Sequence, residues 1–465
     1  MRQVTVARRP RGGVVGPFGR LGSAALLLVL VGTGLAIVRL SVLVALIAPL
    51  AAGALLLALL IRLLASEEET EADAGRVVRW TAAAFALHLV LSLVITNTSF
   101  LLQYLGPDAL TYHEIARALV RHWDQGFPAP YLPSGKEGFY FLLAGLYWTF
   151  GVSTAAGLAV HAALAAALVP LVTDTTRRRF RREAARYAAP RTVLVPGLLL
   201  WTSQLLKEAA VLFLLALAAN CAVRVSDRIK VGPLAGLAST MALLFTFRGW
   251  VGIMAAGGLL IGIAFGRREM LSGLGTGVTV TVLIGLMVIV TGLGYSGYKT
   301  AVGSDLEQAS VVRRDLAVSA SSGFNADADI STPARALSYL PTALVTFLLG
   351  PFPWQIQGAR QLPVLPDMFV WWALLPSLWR GIRTSMRRRG RLTLLLLMPA
   401  LTTSVLLALA VGNFGLLLRE RTQVFVLLLP FFCLGLAMRS ARQEGVTEPA
   451  DAGEIPSVDA QPAQR

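Results

Sequence analysis

Charged residues are scarce in this sequence, at 15% of the chain, whereas 55% of the residues are hydrophobic. Several apolar runs reach the roughly 18–20 residues that a helix needs to cross a bilayer. The alternating segments of about 10 residues that mark a transmembrane β-barrel are missing. The sequence therefore predicts an all-α polytopic membrane protein.

Cysteine is rarer still: only Cys221 and Cys433 occur, both within or beside apolar segments. They read as small packing residues and provide neither a disulfide framework nor a metal site. The net charge of +16 invites a nucleic-acid interpretation. However, the basic residues form short clusters between apolar runs, which is the pattern of the positive-inside rule, so we expect no nucleic-acid partner. We expect no cleavable signal, because the first apolar run begins near Leu21 and continues past the length of a signal core. We also find no nucleotide-binding loop and no convincing short repeat in the sequence.

The positions of the basic clusters also favour one membrane topology over another. Two segments, Phe139–Phe150 and Ala336–Leu349, are apolar but short for a membrane span. Hydropathy alone does not decide whether they cross the membrane. If both stay in the outer interface, the arginine clusters fall in the cytoplasm, as the positive-inside rule favours. This choice gives about 12 transmembrane helices in the cell (plasma or inner) membrane, with both termini cytoplasmic. The predicted spans are 22–39, 41–64, 78–97, 152–173, 192–206, 209–223, 231–247, 250–266, 271–293, 367–382, 392–411 and 423–438.

The chain then divides into a basic cytoplasmic tail at 1–20, a polytopic domain at 21–438 and a disordered cytoplasmic tail at 439–465. Two outer loops are predicted, at 98–151 and 294–366. In this topology the charges that the positive-inside rule leaves unexplained collect on the outer face. They are Asp108, Lys207, Glu208, Arg248, Arg419 and Arg421.

Asp108 is the leading catalytic candidate. It follows Gly106-Pro107 at the predicted start of a helix, on one face with Tyr112 and Ala116 because they are spaced by four. A carboxylate at the boundary of water and lipid can act as a general base on an acceptor hydroxyl. The competing interpretation is a helix cap, a role that Asp fills routinely.

The cations are the candidate phosphate ligands. Lys207 and Glu208 interrupt an apolar stretch, where ionisable residues are costly and by default mark function. Alternatively, Lys207 lies at the tip of a helical hairpin, where its ammonium reaches the membrane–water interface and pairs with Glu208. Arg248 is a phosphate ligand or a span-end anchor. Arg419 and Arg421 suit a bidentate phosphate, or else pair internally with Glu420.

Weaker substrate-binding candidates complete the set. Glu137 is a second acid in the first loop. Trp354 and Arg360 lie in a rigid segment rich in proline and aromatic residues, which is either an interfacial aromatic belt or a cover over a lipid-linked sugar.

The first loop resembles that of the GT-C glycosyltransferases, the polytopic enzymes related to dolichyl-phosphate-mannose protein mannosyltransferases, in their bacterial exopolysaccharide branch. The resemblance is carried by Asp108-x-x-x-Tyr112-x-x-x-Ala116 and by Gly138-Phe139-Tyr140 through Gly151, and it covers mainly residues 78–266. The loop lacks the Asp-Asp, Asp-Glu or Asp-x-Asp pair that would support a divalent metal, and two extra spans precede the family-like start.

The resemblance implies an inverting transfer from a polyprenyl-phosphate sugar to a glycan, lipid or protein acceptor of the cell envelope on the outer face. Asp108 would be the base, and Arg419, Arg421, Arg248 or Lys207 would hold the lipid phosphate. No cofactor is required. A divalent metal stays an open alternative that the first-loop sequence does not support, and no metal ligands are assigned. The alternatives are an oligosaccharide polymerase or ligase that acts on lipid-linked glycans, and a polysaccharide or lipid transporter, which should show inverted repeats.

Overall fold

The computed structural model describes residues 41–65, 70–99, 107–133, 135–266, 306–356 and 365–443. Within these residues the fold is built from α-helices. In chain order they are α1 Ser41–Leu64, α2 Glu71–Asn97, α3 Pro107–Gln125, α4 Glu137–Phe150, α5 Thr154–Ala185, α6 Ala188–Leu194, α7 Pro196–Thr202, α8 Glu208–Asp227, α9 Val231–Phe247, α10 Gly249–Gly266, α11 Leu306–Ser319, α12 Pro333–Leu349, α13 Leu365–Ala410 and α14 Phe414–Gln443.

Among the described residues, six helices are long and apolar enough to cross a membrane. Their segments are Ile47–Leu64, Glu71–Asn97, Thr154–Ala185, Glu208–Asp227, Leu392–Ala410 and Phe414–Gln443. The prediction of an all-α polytopic membrane protein is confirmed. The helices α9 and α10 are apolar but shorter, and the predicted spans at 22–39 and 271–293 lie outside the described residues.

One predicted span, 192–206, is not a single helix. The helices α6 and α7 have seven residues each and are separated by Val195, and an irregular turn at 203–207 follows them. Pro196 accounts for the break, because proline lacks a backbone N–H and disfavours helical geometry in the residue before it. The turn is held by buried histidines of neighbouring helices: His88 contacts the Ser203 hydroxyl at 2.9 Å, and His161 contacts the Leu206 carbonyl oxygen at 2.9 Å.

The residues of α13 form two helical arms that are joined by a tight turn. The hydroxyl groups of Ser385 and Thr393 are hydrogen-bonded to each other. Eight residues of straight helix would separate them by about 12 Å, so the chain must reverse between them. The first arm packs on α14 and the second on α10, which agrees with two separate predicted spans, 367–382 and 392–411.

The second arm of α13 packs on α10 through glycine. A Cβ atom at Gly258 would lie 2.5 Å from the Cα of Pro399, whereas a Cβ atom at neighbouring Gly257 would meet nothing within 4 Å. The absence of a side chain at Gly258 therefore allows the two backbones to approach each other, as is common between membrane helices.

The two adjacent glycines form a matched pair of test positions. Gly258→Ala should lower the free energy of unfolding by about 1–3 kcal/mol, because two backbones cannot move aside for a methyl group. Gly257→Ala should be neutral or stabilise the protein by up to about 1 kcal/mol, since alanine is the better helix former. Unfolding curves in detergent would compare the two variants, and equal stabilities would contradict the close packing.

The bundle has two distinct ends. Glu208 begins α8 and Arg224 lies in its last turn, about 24 Å further along the helix axis. Arg224, Arg177 and Arg178 converge on the buried Asp174 at 2.8, 2.6 and 2.8 Å. We call the end that holds Glu208 the site end and the end that holds Asp174 the arginine end.

The start of α14 at the site end is fixed by the preceding polar segment. The Phe324 N–H donates to the Gly412 carbonyl, and the Phe414 N–H donates to the Ser322 carbonyl at 3.0 Å. Arg313, which is fully buried, donates to the backbone oxygen of Asn325 at 2.8 Å. Part of the predicted outer loop 294–366 is therefore folded against the helix that carries Arg419.

Candidate active site

Four distant chain segments meet at the site end. They bring together Asp108 at the first turn of α3, Lys207 and Glu208 at the start of α8, Arg248 between α9 and α10, and Arg419 with Glu420 in α14. We call these six residues the charge cluster. It contains three cations and three carboxylates, in a bundle whose surrounding helices are largely apolar.

Arg419 bridges two of the carboxylates. Its Nη1 lies 3.0 Å from Oδ2 of Asp108, and its Nε lies 3.2 Å from Oε1 of Glu208. Hydrogen bonds and ion pairs between charged groups are stronger than neutral ones, more so where water is excluded. The contact with Asp108 therefore places the leading catalytic candidate at the edge of the buried charges.

Arg248 makes the second bridge. Its Nη1 lies 3.4 Å from Oε1 of Glu208, and its Nη2 is hydrogen-bonded to Glu420. The Gln423 amide donates to the other oxygen of Glu420 at 2.6 Å. Glu208 is thus shared between two guanidinium groups, which accounts for a carboxylate that is buried at the start of an apolar helix.

Lys207 is the cation of the cluster without a direct partner. The residue is 4% exposed, and no hydrogen bond or ion pair joins its ammonium to another residue of the described part of the chain. The Oε2 atom of Glu208 is also buried without a hydrogen-bond partner. Buried polar groups are nearly always paired. Within the described residues, the cluster therefore holds an ammonium without a direct partner and a buried carboxylate oxygen without a hydrogen-bond donor.

The cluster opens to the surroundings at Asp108. The Asp108 side chain is 51% exposed, whereas the Arg419 side chain is 16% exposed and Glu208 is 1% exposed. A molecule that approaches the cluster from this side would meet the carboxylate first and the cations behind it. This order suits a reaction in which one partner loses a proton and the other develops negative charge.

Two first-loop candidates lie beside the cluster. Tyr112 is buried and packs edge-on against Phe139, with ring centroids 4.8 Å apart. Burial raises the pKa of Tyr112 above its ordinary value, an effect that the negative charges of Glu208 and Asp108 increase, so the phenol stays protonated at neutral pH. Glu137 begins α4, where its carboxylate accepts a hydrogen bond from the Lys136 N–H at 2.9 Å.

The structure separates Arg421 from Arg419. Successive residues of a helix are rotated by about 100°, so these two side chains leave α14 on opposite sides. Arg421 donates to the Gly350 carbonyl at 2.8 Å and lies 3.3 Å from Asp367, over the ring of Trp371. Its contacts join α14 to α12 and α13, outside the charge cluster.

The remaining predicted site residues are not brought into the cluster. Trp354 is exposed and stacks on Phe352, with ring centroids 4.8 Å apart. Arg360 lies outside the described residues. The roles of these residues, like those assigned to the other candidates, stay predictions.

The sequence analysis missed two parts of the arrangement. Glu420 was considered only as an internal partner of the neighbouring arginines, yet it binds Arg248, and Gln423 was not considered at all. A carboxylate and an amide three residues apart at the start of an apolar span would have been the available signal. The described residues contain no group of three or more His, Cys, Asp or Glu side chains that could hold a metal ion.

No protein-family model matches this sequence, and no curated protein sequence does. Solved structures with a similar fold include ArnT from Cupriavidus metallidurans in the apo state, with a TM-score of 0.48 and 17% sequence identity over 81% of this chain and 62% of that chain. The same ArnT bound to undecaprenyl phosphate has a TM-score of 0.49 and 17% identity over 80% and 62%.

A third similar structure is the archaeal oligosaccharyltransferase AglB from Archaeoglobus fulgidus, in complex with an inhibitory peptide and a dolichol-phosphate. Its TM-score is 0.46, with 14% identity over 81% of this chain and 52% of that chain. The present chain therefore spans between about half and two thirds of the length of these proteins. The similarity to these structures lies in the helical fold.

Proposed function

We propose that this protein is an integral membrane glycosyltransferase that moves a sugar from a polyprenyl-phosphate donor to a cell-envelope acceptor. The observation that carries the proposal is the contact between Arg419 and Asp108, because it joins a half-exposed carboxylate to a buried group of cations. The acceptor would be a glycan, a lipid or a protein. The reaction would take place at the outer face of the cell membrane, since the arginine end fits the cytoplasmic side.

The cations supply the donor site in this proposal. A lipid-linked donor can enter sideways from the bilayer, so its phosphate must be neutralised at membrane depth. Among the described residues Lys207 has no direct partner. Arg248 pairs with Glu208 and Glu420, and Arg419 pairs with Glu208 and Asp108. A phosphate placed among these three side chains would pair with Lys207 and with guanidinium hydrogens, which are strong donors to phosphate.

Asp108 supplies the base. As the acceptor hydroxyl attacks the anomeric carbon, Asp108 takes its proton, and a bond forms between the acceptor oxygen and the sugar. The bond between the anomeric carbon and the phosphate oxygen breaks, and the polyprenyl phosphate leaves with the electron pair. Lys207, Arg248 and Arg419 would stabilise the additional negative charge on that phosphate, a preorganised electrostatic effect.

Lys207→Met should weaken binding of polyprenyl phosphate about 10- to 100-fold, because it removes a charge-assisted contact worth about 1.5–3 kcal/mol and keeps a similar apolar stem. Inhibition of transfer by added polyprenyl phosphate would measure this. The matched control is Lys230→Met at the exposed start of α9, which removes an equal charge at the arginine end.

The outcomes of this experiment are distinct. If Lys207→Met and Lys230→Met leave the inhibition constant equal to that of the unsubstituted protein, the assignment of Lys207 to the donor phosphate is wrong. A product that contains a transferred oligosaccharide block in place of one sugar would favour the polymerase or ligase alternative. Movement of a labelled lipid across the membrane without a new glycosidic bond would favour a transporter.

A further inference from the structure

A polar cavity lies between the first arm of α13 and the last turns of α14. It has a volume of about 260 Å³, several times the roughly 30 Å³ that a water molecule occupies in the liquid. Five of its seven lining residues are arginines. The lining consists of Arg380, Arg383, Thr384, Arg387, Met438, Arg439 and Arg442.

The cavity belongs to the arginine end. The helix α14 runs from the charge cluster at Arg419 to Arg442 near its last residue, about 34 Å along the axis. The first arm of α13 runs beside it in the same direction, from Asp367 near Arg421 to Arg387. The cavity therefore lies far from the candidate active site, and the chemistry proposed there does not use it.

The arginines of the cavity differ from the other arginines at the same end. Arg177, Arg178 and Arg224 all contact the carboxylate of Asp174, so the fold supplies that group with its own anion. Within the described residues, none of the five cavity arginines has a carboxylate within 4 Å. In Arg380, the buried Nε atom makes no hydrogen bond. The charge of the cavity is left for a ligand to balance.

The surroundings indicate the depth of the cavity. Trp379 precedes the first lining arginine and is exposed on the surface of the bundle, and Met386 on the same arm is also exposed. Exposed tryptophans of membrane proteins concentrate at the level of the lipid head groups. The cavity arginines, the first of which is Arg380, would therefore lie among the lipid phosphates of the leaflet at the arginine end.

From this geometry we infer that the cavity binds the phosphate of an anionic phospholipid, with several of its arginines around the phosphate oxygens and the acyl chains beside Trp379. Basic pockets between membrane helices at this level are suited to phospholipid head groups. A soluble phosphate would use the same guanidinium chemistry, so the test must separate the two sources. The cavity would then be a lipid site that anchors the α13–α14 pair, independent of sugar transfer.

The test is a titration of the full-length protein in neutral detergent with phosphatidylglycerol, followed by thermal unfolding. Phosphatidylglycerol should raise the unfolding temperature, and phosphatidylcholine should not. The variant Arg383→Gln/Arg387→Gln/Arg439→Gln should require roughly 100-fold more phosphatidylglycerol, at about a factor of five for each charge removed. The matched control, Arg186→Gln/Arg228→Gln/Lys230→Gln, removes three exposed charges at the same end and should respond like the unsubstituted protein.

Unfolding without added lipid shows whether each variant is folded before its titration is compared. Equal responses of the cavity variant and the control would overturn the proposal. An equal rise of the unfolding temperature with inorganic phosphate alone would overturn the lipid source. A further outcome is that phosphatidylglycerol raises the unfolding temperature only in the variant Glu448→Gln/Asp451→Asn/Glu454→Gln. That result would identify the acidic C-terminal segment as the occupant of the cavity and would also overturn the proposal.

Discussion

Replacement of Asp108 by asparagine is expected to lower the rate of sugar transfer by about 100- to 10,000-fold, the usual contribution of a general base. Asparagine has nearly the same size and can still accept a hydrogen bond from Arg419, 3.0 Å away, but it cannot take up the acceptor proton. The rate would be measured in membranes or nanodiscs with a polyprenyl-phosphate sugar as donor. Binding of the donor should change much less than the rate.

The control for Asp108→Asn is Glu114→Gln on the same helix. Glu114 is exposed and pairs with Arg117 at 3.6 Å, away from the charge cluster, so its substitution removes an equal charge and should leave transfer unchanged. Both variants should show the unfolding temperature of the unsubstituted protein. Transfer by Asp108→Asn within about twofold of that protein would remove Asp108 from the reaction.

Asp174→Asn should have the largest effect on stability. The Asp174 carboxylate is 2% exposed and accepts contacts from Arg177, Arg178 and Arg224. Its neutralisation leaves several guanidinium groups without their common anion, and the loss of one partner from a buried ion pair costs about 3–5 kcal/mol. Unfolding in detergent would measure the loss, seen as reduced yield of folded protein if the variant is too unstable to isolate.

Asp227→Asn is the matched control for Asp174→Asn. The Asp227 side chain is 39% exposed and lies 3.5 Å from Arg179 and 3.8 Å from Arg178. Partly exposed pairs of this kind contribute about 0–1 kcal/mol, so this variant should unfold close to the unsubstituted protein. Similar losses in the two variants would show that burial of Asp174 does not set its importance.

The membership of the charge cluster could be predicted in part from the sequence. Positional arguments predicted that Asp108, Lys207, Glu208 and Arg248 share one end of the bundle, because the positive-inside rule leaves them together on one side. The structure connects Asp108, Glu208 and Arg248 through ion pairs in which Arg419 takes part, whereas the Lys207 ammonium makes no hydrogen bond or ion pair with another described residue. Arg419 and Arg421 were equivalent by this argument, since both lie in the outer connection just before the predicted span 423–438.

Only the packing of α14 distinguishes those two arginines. Arg419 turns toward Asp108 and Glu208, whereas Arg421 turns toward Gly350 and Asp367. The rotation of a helix about its axis depends on all of its neighbours, and an apolar span with few polar residues carries little information about it. For the same reason the sequence did not identify Asp174 as the centre of the arginine cluster.

The sequence by itself determined that the chain is a bundle of membrane helices, because long apolar runs have few other stable states in a bilayer. It also determined where the first-loop helix begins, through Pro107 and Asp108, which suit its first turn. The tertiary structure alone decided that Lys207 lacks a direct partner among the described residues, that Glu420 contacts Arg248, and that α13 reverses into a hairpin. These facts depend on contacts between residues far apart in the chain, whose relative rotation and depth are set by the packing of whole helices.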